Sequence, residues 1–524
     1  MQWAFTVPGE SFLGLLEALP EAGIRLVATR HEGGAAFMAE AVGQLTGTPA
    51  VVLGTRAVGA GNMAIGIHTA RQNSTPMVAL VGQVERRNRG REAFQESDLV
   101  ATPGALAKWA VELDDPATAA ELVGEGLRTM SSGRPGPVLF ALPEDVLDLE
   151  VSPADVDVDP AKPAAPDPDA VRAVLDLLAG AQRPAILAGV GVLRAQATVE
   201  LAQLAEALAV PVLAAFRRPD AFPNDHPLYL GVTGYGAAET VQPRLEAADA
   251  LLVIGCRLNE IGSFDYRIPG PSTPWAHVDL EPRTAHAGLP APDIAVPADA
   301  GDFLRAARQF MPDQPPARPA NDADRQAYLD ASIVDDGQPW AGPGIHPGKA
   351  IATLQRVLPE EAILTSDAGN FALWLARGYR FRQPGTFVGP TSGAMGYGLP
   401  AAIAASLCQP ERVVVAVCGD GGFAMTMNEL ETAVREGSHP VAVVFDNQRY
   451  GTIAMHQQRR AGEPIATDLG PIDFCAVARA SGALGFTVGH DDQFEPALLE
   501  AIAARRPAVI HLQLDQRWVS PDEA

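Results

Sequence analysis

The feature that most constrains this 524-residue chain is a unit that recurs along it. A short, continuously apolar run closes on glycine or a polar residue, and a stretch with helical spacing follows. "PAVVLGT", "PMVALVGQV" and "GPVLFALP" stand in the first third. "RPAILAGVGV", "VPVLAAF", "ALLVIGC" and "WAHVDL" stand in the middle. "EAILTSDAG", "RVVVAVCGDGG", "HPVAVVFDN" and "PAVIHLQLD" stand in the last third. A strand with one wet face alternates apolar and polar residues. A run that is apolar throughout expects burial on both faces, which parallel sheets covered by helices provide. Two segments rich in proline and aspartate, Val151–Val171 and Phe310–Gln326, have linker composition. They divide the chain into blocks of roughly 150 to 190 residues, an ordinary domain size. The expected fold class is α/β, with three doubly wound parallel-sheet domains. In such sheets ligands gather at the C-terminal ends of strands.

Composition narrows the function classes. With 47% hydrophobic and 19% charged residues, the chain can bury large cores. Its net charge of -24 argues against nucleic-acid and anionic-membrane partners, which need clustered Lys and Arg. Any anionic ligand must then be held by backbone donors or a metal. Cys256, Cys408, Cys418 and Cys475 lie far apart with no Cys-x-x-Cys pair. This suits reduced thiols in a cytoplasmic protein and offers no zinc motif. No signal peptide and no bilayer-length apolar run is visible.

One stretch concentrates chemistry: "VVVAVCGDGGFAMTMNELETAVREGSHPVAVVFDNQRYG", Val413 to Gly451. Gly421 and Gly422 allow close backbone approach and expose N–H groups to phosphate oxygens, and a helix pattern follows them. Asp420 offers a hard anionic oxygen and Asn447, 27 residues on, a neutral one. With one backbone carbonyl they could complete a Mg²⁺ site whose other ligands are phosphate and water. Equally, Asp420 could cap the helix and Asn447 a turn.

The stretch resembles the diphosphate-binding signature of thiamine-diphosphate enzymes. The resemblance implies Mg²⁺ on Asp420, Asn447 and the Arg449 carbonyl, with Gly419, Gly421, Gly422, Tyr450 and Gly451 around the diphosphate. "VATRHEGGAAFMAEAVGQLTG" (Val27–Gly47) resembles the family segment with the glutamate that activates the cofactor; Glu32 matches it. Such a carboxyl group on the pyrimidine N1′ favours the imino tautomer that removes the C2 proton. By itself, a glutamate at a helix start reads as a cap. "GREAFQESD" resembles an acetolactate synthase stretch in which Phe94 and Gln95 match an active-site aromatic and amide. Lys108 falls at the spacing of an active-site lysine, or is an exposed helix cation. In "GPTSGAMGYGLPAAIAASL", Met395 matches the residue that wedges between the two cofactor rings, and the Gly393 carbonyl matches the acceptor for the 4′-amino group. Filling a core gap is the plainer use of such a Met. "SDAGNF" adds Gly369 and Asn370 on the diphosphate side.

The motifs occur in family order, and the closest likeness is to the acetolactate synthase-like large subunits. The resemblance implies a pyrimidine-binding domain over 1–155, a middle Rossmann-like domain over 170–312 and a diphosphate-binding domain over 340–524. It also implies a small 2-oxo acid substrate and a homodimer or homotetramer with the active site between subunits. The implied reaction is carboligation or decarboxylation. A 2-hydroxyacyl-CoA lyase or benzaldehyde-lyase-type C–C lyase is the alternative, with a flavin- or NAD-linked oxidoreductase or a non-catalytic paralogue as other classes.

The chain departs from the pattern in places. "GTRAVGAGN" (Gly54–Asn62) stands where the family has a Gly-Pro-Gly loop, and the chain opens almost directly on "VPGE". Met455-His456-Gln457 replaces the synthases' Gln-Trp-Gln, and His456 reads as a proton donor or a solvated helix residue. No extended segment follows "VIHLQLDQRWVSPDEA", which disfavours acyl-CoA substrates. The middle block's "LAGVGVLRAQ" carries Gly-x-Gly, but Arg194 occupies the third glycine position. FAD or an ADP-type ligand there, near "GVTGYG" and Asp279, is therefore not favoured.

Overall fold

The computed structural model describes residues 1–151, 158–159, 161–283, 290–518 and 520–521. Much of the first expected linker, the limit at 155 and the last three residues lie outside these.

Among the described residues the chain forms three six-stranded sheets. The first holds β1 (Trp3–Thr6), β2 (Arg25–Ala28), β3 (Ala50–Thr55), β4 (Met77–Gln83), β5 (Trp109–Glu112) and β6 (Pro137–Pro143), in the order β2-β1-β3-β4-β6-β5. The second holds β7 (Pro184–Ala188), β8 (Val212–Ala214), β9 (Tyr229–Val232), β10 (Ala250–Ile254), β11 (Trp275–Asp279) and β12 (Ile294–Pro297), in the order β12-β11-β10-β7-β8-β9. The third holds β13 (Ile363–Ser366), β14 (Phe387–Val388), β15 (Val414–Gly419), β16 (Val441–Asp446), β17 (Leu484–Val488) and β18 (Ala508–Gln513), in the order β14-β13-β15-β16-β18-β17. Every pairing of these strands is parallel. The first and third sheets thus share one topology, and the second has the Rossmann order.

Burial follows the apolar runs. Central strands such as β6, β10 and β15 are buried at every position, as two-sided coverage requires. The second sheet has a core of its own. The first and third share one, in which the helix Glu32–Thr46 packs against the helix Gly398–Cys408. Eight of the fifteen residues of Glu32–Thr46 are Gly, Ala or Val, so its middle can lie between two sheets. The His31 ring accepts from the Gly33 amide at its start (2.9 Å), and Gly47 ends it with a left-handed φ of 70°.

The next helix, Arg56–Asn73, crosses Glu32–Thr46 at Gly66. A methyl group on Gly66 would stand 2.3 Å from the Ala36 methyl and 2.8 Å from the Ala36 carbonyl carbon. Neither helix has a flexible side chain there to yield. Gly66→Ala is therefore expected to destabilise the chain by about 1–3 kcal/mol, read as a lower thermal midpoint. An unchanged midpoint would show that the helices are not in contact at that crossing.

Candidate functional site

The C-terminal ends of the third sheet's central strands open into one cavity of about 480 Å³. Gly369 and Asn370 line it beyond β13, Gly419 to Gly422 at and beyond β15, and Asn447, Arg449, Tyr450 and Gly451 beyond β16. Gly393 and Met395 line it from the segment before Gly398–Cys408. Close approach explains the glycines: a Cβ on Gly421 would meet the Tyr450 ring at 2.6 Å, and one on Gly422 the Asp367 carboxyl at 2.2 Å. Phe216, Arg217, Tyr235 and Ile261 reach the cavity from the second sheet.

Asp420 is buried, and it hydrogen-bonds to Asp446 on the neighbouring strand. Burial and that acidic neighbour raise its pKa to about 7. Asp446 accepts from Gln448 N (2.9 Å) and pairs with the buried His511 ring (2.7 Å). Burial alone would lower the His511 pKa; hydrogen bonds to Asp446 and Cys475 overcome it and raise it to about 9. The Asn447 amide nitrogen donates to the Trp518 carbonyl (3.2 Å), which leaves Oδ1 as its free donor atom. The Arg449 carbonyl accepts from Gly451 N (2.8 Å) and keeps a second lone pair. Asn370 is held by the Thr452 hydroxyl (2.8 Å) and contacts Met455 Sδ.

These are hard oxygen donors, and two carboxyls in contact favour a cation beside them. Among the described residues no three His, Cys, Asp or Glu side chains form a metal cluster. An ion here would draw its remaining ligands from water or a bound phosphate.

The first-sheet residues lie apart from this cavity. Glu32 is half-buried, with Oε2 accepting from Asn62 Nδ2 at 2.9 Å and Gly59 alongside. Phe94 is 71% exposed beneath the Arg56 guanidinium, and Gln95 has a left-handed φ of 63°. Lys108 also lies outside this cavity. Its ammonium donates to the Ser132 and Arg134 carbonyls (2.5 and 2.8 Å) at the end of helix Pro116–Ser131. Asp446, His511, Asp367, Arg217, Asn62 and Trp518 hold these groups in place; from sequence only Asp446, beside Asn447, and Asp367, beside Gly369, had a local signal.

The second sheet's switch point, between β7 and β10, does not fit a dinucleotide. The Gly191 amide, needed for a pyrophosphate, donates to the Gly255 carbonyl (2.9 Å), and a Cβ on Gly191 would meet Gly255 Cα at 2.5 Å. Arg194 donates to the Ser74 carbonyl (2.9 Å) and Arg257 to that of Gln72 (2.7 Å), so the first domain fills the crevice. About 20 Å³ remains.

Comparison with known proteins decides the family. The chain matches the N-terminal TPP binding domain (residues 1–102), the central domain (171–307) and the C-terminal TPP binding domain (367–512) described for thiamine pyrophosphate enzymes. A probable acetolactate synthase large subunit of Methanocaldococcus jannaschii is 31% identical over 99% of this chain and 90% of its own length. The chain belongs to the thiamine pyrophosphate enzymes. A catabolic acetolactate synthase of Raoultella terrigena is 31% identical over 98% of this chain and 92% of its own. A sulfoacetaldehyde acetyltransferase of Rhodobacter capsulatus is 31% identical over 99% and 92%. This thiamine pyrophosphate enzyme is therefore acetolactate synthase-like.

Asp367, under the glycine turn of the enzyme, gives a pH-dependent prediction. Its Oδ1 accepts from Ala368 N (2.8 Å) while Oδ2 is buried without a partner. Burial raises its pKa to about 7. The folded state thus prefers the protonated acid: its contribution is full below about pH 4 and is lost as pH rises through 7, by up to about 4 kcal/mol. Cofactor-free Asp367→Asn should melt above the parent at pH 8, and the gap should narrow as pH falls and close below about pH 4. A gap independent of pH would contradict the assignment.

Proposed function

We propose that this chain binds thiamine diphosphate with Mg²⁺ and acts on a small 2-oxo acid as a carboligase or decarboxylase. The observation that carries this is the single cavity in which the motif residues of the last block converge. Asp420, Asn447 Oδ1 and the Arg449 carbonyl would hold Mg²⁺. The amides of Gly421 and Gly422 would meet the diphosphate, bordered by Gly419, Tyr450, Gly451, Gly369 and Asn370. Met395 would bend the cofactor and the Gly393 carbonyl would accept from its amino group.

When bound, the cofactor supplies a carbon nucleophile and an electron sink for breaking and making C–C bonds. Around it the chain orients, excludes water and manages protons. Among the described residues, none of the first domain lines the cavity. The proposal therefore assigns the carboxyl that protonates pyrimidine N1′ to Glu32 of the partner subunit. Val58 and Phe94, large apolar residues left 51% and 71% exposed on the first domain, support burial of that face in a homodimer or larger assembly. Phe94 and Gln95 would then reach the partner's substrate. Lys108, committed to backbone carbonyls, has no place in this scheme. Among the described residues no helix is long and apolar enough to cross a membrane.

Calorimetric titration with thiamine diphosphate and Mg²⁺ should show binding that Asp420→Ala weakens at least a hundredfold. Because the Asp420 proton must leave, binding should release close to one proton per site at pH 6 and almost none at pH 8.5. Affinity should accordingly fall as pH drops below 7. Unweakened binding by the variant would remove Asp420 from the site. Release of CO₂ from pyruvate or a related 2-oxo acid by the loaded enzyme tests the substrate class.

A further inference from the structure

Glu40 lies two turns after Glu32 on the same helix and has no exposed surface. Its carboxyl accepts from Asn73 Nδ2 (2.8 Å), the Thr75 hydroxyl (2.8 Å), Gln44 Nε2 (3.2 Å) and the Tyr397 hydroxyl. The buried Arg218 interacts electrostatically with this group, and its Nη1 also reaches the Gly389 carbonyl (3.3 Å). Removing a carboxyl group from water costs free energy, and several donors are needed to offset it. All three domains contribute residues to this cluster.

Two partners of Glu40, with Thr69 one turn before Asn73, hold one segment. Gln44 accepts from the Gly389 amide (3.0 Å) and contacts its carbonyl (3.4 Å). Asn73 accepts from both the amide (2.9 Å) and the hydroxyl (2.7 Å) of Thr391. Thr69 bonds the Ser392 hydroxyl (2.9 Å). Beyond the cavity, Thr426 donates to the Gly396 carbonyl (2.9 Å). The span from 389 to 396 is pinned on both sides, and the stretch between the pins, Gly393 to Met395, runs along the cavity. Gly393 makes the turn with a φ of 72°.

We propose that Glu40 is a positioning residue for the cofactor-bending segment. Through Gln44 and Asn73 it fixes Gly389–Ser392, and thereby the projection of Gly393 and Met395 into the cavity. This rests on the role given to Met395 above. A purely adhesive role between domains would cost stability without loosening that segment selectively.

Two variants test it: Glu40→Gln, which turns an acceptor into a donor amid four donors, and Thr69→Val, which deletes one hydroxyl at constant shape. In the cofactor-free chain, amide hydrogen exchange over residues 391–395 should rise about tenfold in Glu40→Gln and about threefold in Thr69→Val, with the rest of the third domain unchanged. With thiamine diphosphate and Mg²⁺ bound, C2–H/D exchange should slow by similar factors, while the cofactor's Kd stays within threefold. Amide and C2 exchange within twofold of the parent in Glu40→Gln overturns the proposal, and if that variant does not fold, Thr75→Val, which removes a hydroxyl that holds the Glu40 carboxyl, decides by the same readouts. Met395→Ala separates the two levels. If it slows C2 exchange and the other variants do not, only the Glu40 proposal falls. If it too has no effect, the Met395 role falls and this proposal with it.

Discussion

Asp420 and Asp446 stand in contact at the ends of adjacent strands, and burial makes a second negative charge there costly. The surroundings are arranged about that conflict. His511 on β18 supplies a positive partner for Asp446, so the unsatisfied demand falls on Asp420. Asp420 then either keeps a proton or takes a cation. Trp518 turns Asn447 so that its oxygen is free, and the glycines leave room for a bulky anion. In a chain of net charge -24, a cation bridging protein acids and a phosphorylated ligand resolves the conflict more completely than a proton can.

The repeated topology explains how the first and third domains come to share one core. The first and third sheets have the same strand order and press helices of small residues against each other. One of these, Glu32–Thr46, serves two places. Its first residue is presented at a surface of the first domain, and its middle holds the segment that ends at Met395. The second sheet has nucleotide-binding topology, but arginines gripping the end of helix Arg56–Asn73 fill its switch point. It acts as a joint that fixes the first domain and lends Phe216, Arg217 and Tyr235 to the cavity wall.

All eleven apolar runs became strands, because burial on both faces leaves a continuous local signature. Strands without it were harder to see. Trp109–Glu112 is half-exposed, most of Leu484–Val488 likewise, and Phe387–Val388 is only two residues long. Among site residues, glycines and acids at strand ends were legible because backbone approach and metal ligation are local demands. Asp446–His511 and Glu40–Asn73 were not, since their partners lie 65 and 33 residues apart and neither member stands out in its own segment. Nor did spacing along the chain reveal that a helix end would meet the Lys108 ammonium.

The central claim is that Asp420 of one chain and Glu32 of another complete a single site. It is tested most directly by mixing two separately inactive proteins, Glu32→Gln and Asp420→Ala, under conditions that let subunits exchange. The account predicts that mixed dimers recover activity at one of their two sites, giving about a quarter of parental activity in a statistical 1:1 mixture. No recovery above the separate variants, with exchange verified by mass, would contradict a shared site and place both residues in the same chain's chemistry.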